Sequence, residues 1–399
     1  MASSSPVVRD LTPADVDAAF GVRARAFGFG EDGNGGDVAA FRRRWNAMQE
    51  PLIDAGRALV VEIDSTVVAY ARAFPLRQWW GGRSVSMAGI AGVVVAPEQR
   101  GRGIGSLLMR SLLDRAAGLG DAVSVLYPAT VPVYRRLGWE LAGARHALSL
   151  DTALLRRLGG PDVAVRPARP EDAEVVVAIA DAVHRRTAAC GPLEHGLDEV
   201  RAWLADPETF AYLAEDGFVR YGWEGQHGHD LRVHEVIAAS EPTARALWSV
   251  VGSGASVSRT VHAYADPRDP LHLLLEGAVR PAVTQERWML RVLDLQAAVA
   301  GRGFPPAVAG RVSLTVEDQQ VPRNSASWVL TVRAGSGRVV AGSPDADAVR
   351  LGPGGLAALF AGTPPSTLRV AGLADGGRAG DDDLLGAAFA AQPYLLDYF

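Results

Sequence analysis

Residues 93–113 read VVVAPEQRGRGIGSLLMRSLL. A β-branched run stops at Pro97, and a helix with Ile104, Leu107, Leu108 and Leu112 on one face follows a few residues later. Between the two stand Gly101, Gly103 and Gly105, interleaved with Arg100 and Arg102. Glycine loses more conformational freedom on ordering than any other residue, so three at alternating positions need a reason. A loop without side chains at the start of a helix supplies one: it presents several backbone N–H groups and lets an anion come close, the geometry a pyrophosphate requires. The two arginines can then reach the remaining charge. The nearest competitor is the dinucleotide fingerprint G-x-G-x-x-G, which needs an acid at the end of the next strand. Here the spacing is G-x-G-x-G, and Asp121 begins the strand DAVSVLY instead of ending it.

The same loop separates two halves of an internal repeat. VVRDLTPADVDAAFGVRARAF, from Val7, and AVRPARPEDAEVVVAIADAVH, from Ala164, each read as a V-R strand and an amphipathic helix that opens on proline and Asp15 or Asp172. The second copy reaches its equivalent of the opening stretch in EVIAASEPTARALWSVV, from Glu235, with every glycine gone. Only the first copy can cradle an anion. A third segment starts near Met289: MLRVLDLQAAVAGRGF reads as strand then helix, GRVSLTVED, SWVLTVRAG and GRVVAGS as antiparallel strands, and GGLAALFAG as a short helix. Asp381, Asp382 and Asp383 precede LLGAAFA and read as the N-terminal turn of a helix, not as a cation site.

Composition narrows the chemistry. The chain has 399 residues, 48% hydrophobic and 21% charged, enough for two or three domains. A net charge of −5 leaves no basic field for nucleic acid. Its only dense basic run, Arg42–Arg44, reads as a solvated helix face. All 40 basic residues are arginine, which removes Schiff-base lysine chemistry and the lysine-dependent phosphate loop. Cys190 stands alone, so no intrachain disulfide forms, and a small buried hydrophobe is its expected role. His227 and His229, in EGQHGHD, read as solvated loop residues, and with His234 they lack the companions of a zinc site. Residues 1–30 have no signal-peptide core, and no run is long enough to span a bilayer, so a cytoplasmic protein with no membrane partner is expected.

The strand, Q-R-G-R-G-I-G loop and helix resemble the acetyl-CoA site of the GNAT-fold N-acetyltransferases, whose pattern is Q/R-x-x-G-x-G/A. Over nearly its full length, including HAYADPRDPLHLLLEGAVR, RVLDLQAAVAGRGF and the aromatic terminus, the chain resembles the Eis (enhanced intracellular survival) family. That resemblance implies an α/β (α+β) architecture. It places a catalytic GNAT domain at 1–155, a degenerate GNAT-like domain at 156–288 and a sterol-carrier-protein-like domain at 289–399. It also implies acetyl-CoA as co-substrate with no metal, and a homohexamer.

By the same resemblance, Val93, Val94 and Val95 hold the pantetheine arm like an added strand. Arg100, Gly101, Arg102, Gly103, Ile104, Gly105 and Ser106 wrap the pyrophosphate, and Ala129 and Thr130 line the far side. Tyr134, in a Y-x-x-x-G-W match, is the family's general acid, with Tyr127 as the alternative. The general base is the α-carboxylate of the last residue, Phe399, folded back into the first domain, with Glu62, Glu98 and His146 as possible substitutes. The residues YLLDYF are too apolar for a frayed terminus, which fits that role.

Acceptors implied are aminoglycoside-type or other polyamine small molecules. Two places where such relatives carry acids hold Phe29 and Tyr398 here, and Glu31, Asp32 and Asp37 are the substitutes for that charge. A protein or peptide acetyltransferase is the second reading, separated by whether lysine peptides outcompete polyamines. A non-catalytic CoA- or lipid-binding regulator is the third, separated by binding without thiol release.

Overall fold

The computed structural model describes residues 5–28, 38–159, 163–224, 230–275 and 281–399. In the first unit β1 (Val7–Asp10), α1 (Val16–Phe27), α2 (Val38–Asp54), β2 (Ala58–Ile63), β3 (Thr66–Trp80), β4 (Arg83–Val95), α3 (Ile104–Gly118), β5 (Val123–Leu126) and α4 (Val131–Arg135) lead into β6 (Glu140–Asp151). The second unit runs through α5 (Thr152–Arg156), β7 (Arg166–Pro167), α6 (Ala173–Arg186), α7 (Leu197–Ala205), β8 (Thr209–Ala214), β9 (Gly217–Glu224), β10 (Asp230–Ala238), α8 (Glu241–Gly252), β11 (Thr260–Tyr264), α9 (Leu271–Leu274) and β12 (Ala282–Val292). A third unit follows: α10 (Leu295–Gly301), β13 (Gly310–Val316), β14 (Ala326–Arg333), β15 (Ser336–Ala341), β16 (Val349–Leu351), α11 (Pro353–Phe360), α12 (Pro365–Val370), β17 (Ala374–Gly376), α13 (Asp381–Phe389) and β18 (Tyr394–Leu395).

The first two units share one continuous sheet in the order β1-β2-β3-β4-β5-β12-β6-β11-β10-β9-β8-β7. Each contributes a parallel pair at its heart, β4 with β5 and β10 with β11. Their last strands are exchanged across the centre. β12, from the end of the second unit, runs antiparallel to β5, and β6, from the end of the first, runs antiparallel to β11. β6 and β12 pair with each other, so neither unit closes its sheet alone.

The repeat read from the letters is a repeat of local structure. Arg9 makes a two-pronged ion pair with Asp15 (2.7 and 2.9 Å), and Arg166 makes the same pair with Asp172 (2.8 and 2.7 Å). In both copies that aspartate also accepts the backbone N–H three residues back, Thr12 at 3.0 Å and Arg169 at 2.8 Å. The second copy departs where the glycines are missing: α8 starts directly at Glu241 behind an extended Ser240, with no loop around an anion.

In the third unit the order is β15-β14-β13-β16-β17, and α10, α11 and α13 supply buried residues to the core beside it. It meets the shared sheet at Arg291 of β12, whose guanidinium lies 2.6 Å from Asp318 with both side chains fully buried and also donates to Leu137 O of the first unit at 3.2 Å. Each charge is compensated by the other inside a buried contact, and removing one partner would leave the other uncompensated. Asp381 and Asp382 do open α13: Asp381 accepts the Arg378 N–H at 2.7 Å, and Asp382 pairs with Arg369 at 2.6 Å.

Candidate active site

After β4 the chain makes one turn at Pro97–Gln99, then passes Gly101 and Gly103, both with φ of +77°. A Cβ at either position would meet nothing within 4 Å, so conformation and not crowding demands glycine there. Gly105 differs. It lies inside the first turn of α3 without a positive φ, and a Cβ would meet Val95 Cγ2 at an ordinary 3.5 Å. The α3 ladder begins with Leu107 N–H donating to Gly103 O at 3.0 Å, which leaves the N–H groups of Ile104, Gly105 and Ser106 as first-turn donors. Arg100 Nε is 3.4 Å from Val95 O, and Arg102 donates to Gln99 Oε1 at 2.5 Å, so both cations lie along the exposed loop.

Gly103→Ala puts a side chain into a left-handed position at a cost of about 1–2 kcal/mol. An exposed loop relieves that strain by giving up the backbone shape that glycine allows. Acetyl-CoA affinity is therefore expected to fall about tenfold, read by calorimetry, with thermal stability nearly unchanged.

β4 pairs with β5 only through Met87–Gly89 against Val123–Val125. Beyond Gly89 the two strands part while β4 continues to Val95 on the β3 side alone. A bulge marks the parting: the β3–β4 register shifts between Tyr70 and Arg72, and Gly92 opposite has a φ of +63°. Val93, Val94 and Val95 thus form a strand edge facing a gap, and an extended ligand arm can add to such an edge. Across the gap β5 ends at Leu126, Ala129 and Thr130 are exposed, and Thr130 leads into α4.

Tyr134 stands on α4 with its ring edge-on to Trp139, centroids 6.2 Å apart. Its carbonyl accepts N–H bonds from Leu137 (2.9 Å) and Trp139 (3.2 Å), which closes the turn and fixes the ring's base. Burial pushes the phenol above its ordinary pKa of 10, so it is a neutral proton donor at pH 7.

The end of the chain crosses all three units to reach this gap. β18 adds beside β6, Tyr394 and Leu395 opposite Ala144 and Arg145, and Tyr394 N–H donates to Cys190 O at 3.1 Å. Gly191 admits that approach, because a Cβ there would fall 2.1 Å from Tyr394 O. Tyr127, just past β5, donates its hydroxyl to Asp397 O at 2.7 Å and stacks on Tyr398 at 4.7 Å. Burial raises its pKa strongly. Phe399 ends with its ring on Gly89, where a Cβ would sit 2.9 Å from two ring carbons. The last residue of the third unit therefore lies at the point where β4 and β5 part.

The tail's one acid in this stretch, Asp397, enters a charged cluster in the second unit. His195 Nε2 lies 3.3 Å from Asp397 Oδ2, His195 Nδ1 lies 2.9 Å from Glu199, and Arg220 stands 3.8 Å from the other Asp397 oxygen. Burial alone would raise the Asp397 pKa, but His195 and Arg220 outweigh it and bring it to about 2. Burial likewise opposes charge on His195, and the Asp397 and Glu199 carboxylates outweigh it, holding the imidazole protonated well above its usual range. Burial lowers the neighbouring His184 and His234 to about 4, which leaves both neutral at pH 7, and raises the pKa of Glu235.

Other residues singled out from the letters lie elsewhere. Asp121 is buried against Arg57 at 2.7 Å, a structural pair. Glu62 is bound by Arg9 at 2.6 Å, Glu98 lies in the exposed turn after β4, and His146 sits on β6 with burial lowering its pKa despite Asp266. Cys190 is buried, its sulfur 3.1 Å from the Gly81 N–H. Phe29, Glu31, Asp32, Asp37, His227 and His229 fall outside the described residues. Among the described residues no group of three His, Cys, Asp or Glu side chains is placed to hold a metal, and no helix is long and apolar enough to cross a membrane. Reading the letters alone missed His195, Arg220 and Asp397, as well as Gly89 and Gly191. Gly89 carried a signal, since glycine within an apolar strand marks close approach by another group, whereas Gly191 lies outside any strand.

A family model described as acetyltransferase (GNAT) domain matches residues 7–142, a second with the same description matches 197–292, and a sterol carrier protein domain matches 295–396. The crystal structure of a GCN5-related N-acetyltransferase from Kribbella flavida is 48% identical, with a TM-score of 0.93 over 99% of this chain and 98% of that one. The chain belongs to the GCN5-related N-acetyltransferases, an acyltransferase family whose domains use acetyl-CoA. Within it the chain is Eis-like, two GNAT units followed by a sterol carrier protein domain. N-acetyltransferase Eis of Mycobacterium tuberculosis is 30% identical over 63% of this chain and 66% of its own length. An uncharacterized N-acetyltransferase of Streptomyces avermitilis is 28% identical over 81% and 82%.

Proposed function

We propose that the protein transfers the acetyl group of acetyl-CoA to an amine of an aminoglycoside-type or other polyamine small molecule. Tyr134 is the general acid, and the Phe399 α-carboxylate is the general base. Supporting this is one observation above the others: the Phe399 ring on Gly89, which brings the chain's terminus to the splayed strands. There a carboxylate removes the proton from an incoming ammonium, directly or through water. The amine attacks the thioester carbonyl and forms the C–N bond, the C–S bond breaks as the Tyr134 hydroxyl donates its proton to the departing thiolate, and the second proton, shed by the acylated nitrogen, restores the Tyr134 phenol. Val93–Val95 and Gly101–Ser106 hold the coenzyme, with Ala129 and Thr130 opposite. A cytoplasmic homohexamer is the proposed assembly.

A second reading of the acceptor rests on Arg72. Its guanidinium lies 4.7 Å from the Phe74 ring and 5.2 Å from the Trp45 ring, beside the Tyr70 hydroxyl and the bulge at Gly92, and its buried Nε and NH1 have no hydrogen-bond acceptor among the described residues. Buried donors left unpaired are costly, so this position favours an amine that also carries an anionic group, such as an amino acid or peptide.

Both readings are tested by thiol release from acetyl-CoA over aminoglycosides, polyamines, lysine peptides and amino acids. Turnover confined to polycations supports the first; turnover confined to carboxylated amines supports the second. Arg72→Met is then expected to raise KM about tenfold or more for carboxylated acceptors and to leave polyamine KM unchanged. Coenzyme binding without thiol release on any acceptor would overturn both.

A further inference from the structure

β18 is the last element with a backbone ladder; after Leu395 the chain has four residues left and no further strand pairing. Chain ends fray unless tied down. What ties this one are the Tyr127 bond to the Asp397 carbonyl, ring contacts of Tyr398 and Phe399, and the Asp397 carboxylate held from a different unit. The holders stand on separate elements: His195 just before α7, and Arg220 on β9. Glu199 of α7 binds the opposite nitrogen of His195 and so fixes the direction in which the ring faces. His184, Trp79, Trp203, Phe218 and Glu235 line a small pocket with His195, so the imidazole is packed as well as bonded on both nitrogens.

We propose that His195 and Arg220 are positioning residues for the first unit's active site, acting by gripping the Asp397 carboxylate so that Tyr398 and Phe399 are held at the splayed strands. The degenerate second unit, which lacks the glycine loop, thereby takes part in catalysis through the tail. This rests on the reading of the Phe399 carboxylate as the base. The grip needs no contact with either substrate, and its loss therefore lowers kcat while sparing coenzyme binding. Misplacement of a reacting group by an ångström costs about a hundredfold in rate.

The test compares His195→Ala, His195→Gln, Asp397→Asn and deletion of Phe399 in the full chain. Two readouts are taken: kcat and KM for acetyl-CoA by thiol release, and the rate at which a carboxypeptidase frees the C-terminal Phe and Tyr. Asp397→Asn and His195→Ala are expected to lower kcat about a hundredfold, with KM within about threefold, and to speed trimming strongly. His195→Gln keeps an N–H toward Asp397 and recovers most of both. His195→Ala leaves a buried carboxylate short of its cation; should it not fold, the isosteric Asp397→Asn carries the test. Asp397→Asn with wild-type kcat and a protected tail overturns the proposal, and so does lost kcat with a tail still protected. Wild-type turnover after deletion of Phe399 overturns the base reading instead, a separate result from a different variant.

Discussion

Tyr134→Phe is expected to lower kcat by about 10²–10⁴-fold, the range for removing a general acid, with KM for acetyl-CoA nearly unchanged. The substitution removes one oxygen and keeps the ring that packs edge-on against Trp139. Turns at Leu137 and Trp139 depend on the Tyr134 backbone carbonyl, not on its hydroxyl, so α4 should hold its place. A general acid must be protonated to act, and its contribution is lost as pH rises through its pKa. Burial raises that pKa from 10, so an alkaline limb set by Tyr134 belongs above pH 10, and kcat should stay flat through pH 9. Tyr127→Phe separates the alternative. Its hydroxyl already donates to Asp397 O, and its loss should act through the tail, with faster carboxypeptidase trimming and a smaller fall in kcat. Steady-state thiol release with both variants decides: wild-type kcat in Tyr134→Phe would remove the residue from the mechanism.

How far the letters reached depended on whether a feature is local. Gly101 and Gly103 were legible because a left-handed backbone leaves the same mark in any context, a glycine where a helix begins. Gly105 carried the same letter for another reason, and no pattern within seven residues separates it from the other two. The two copies of the arginine–aspartate pair were legible for the same reason: strand, turn and first helical turn lie within one short stretch, so the repeat of letters is a repeat of contacts. In the third unit, alternation placed β13, β14 and β15 where they lie, since alternate faces of those strands are buried.

What escaped is long-range. β12 is exposed over its first six residues and buried over its last five, a pattern that says it is half covered but not that it lies between β5 and β6. The tail read as apolar and packed, and it is. Its aspartate read as nothing in particular, because its partners come from β9 and from the loop ahead of α7, and no spacing in YLLDYF points to either. Asp121 shows the reverse case. Its place at the start of a strand argued against a ribose, and the partner it has is Arg57, brought in by the turn before β2.

Arg302→Met is expected to destabilise the fold by about 2–5 kcal/mol, the cost of leaving two buried carbonyls without a donor at roughly 1–3 kcal/mol each. Arg302 is 1% exposed and has no carboxylate partner among the described residues; its guanidinium donates to Phe360 O and, at 3.0 Å, to Phe389 O. Those are the last carbonyls of α11 and α13. Helix C-termini carry partial negative charge and leave carbonyls without intrahelical donors, so one cation satisfies two helix ends at once. The rings of Phe360, Phe389, Trp80 and Phe304 surround it at 5.0, 5.1, 5.3 and 5.8 Å. Burial lowers its pKa, which measures how strongly the site resists the charge it holds. Methionine matches the length of the stem and fills much of the space, but both carbonyls remain buried with no donor. That asymmetry is why a hydrophobic replacement, harmless for an ion pair removed from both sides, is not harmless here. Trp80 belongs to the first unit and Phe389 immediately precedes the terminal tail, so loosening this cage frees the tail at its base as well as the third unit. Urea unfolding followed by tryptophan fluorescence should show a lower midpoint for Arg302→Met, with carboxypeptidase trimming accelerated even before the transition. An unchanged midpoint would mean that backbone rearrangement satisfies both carbonyls and that the cation is dispensable.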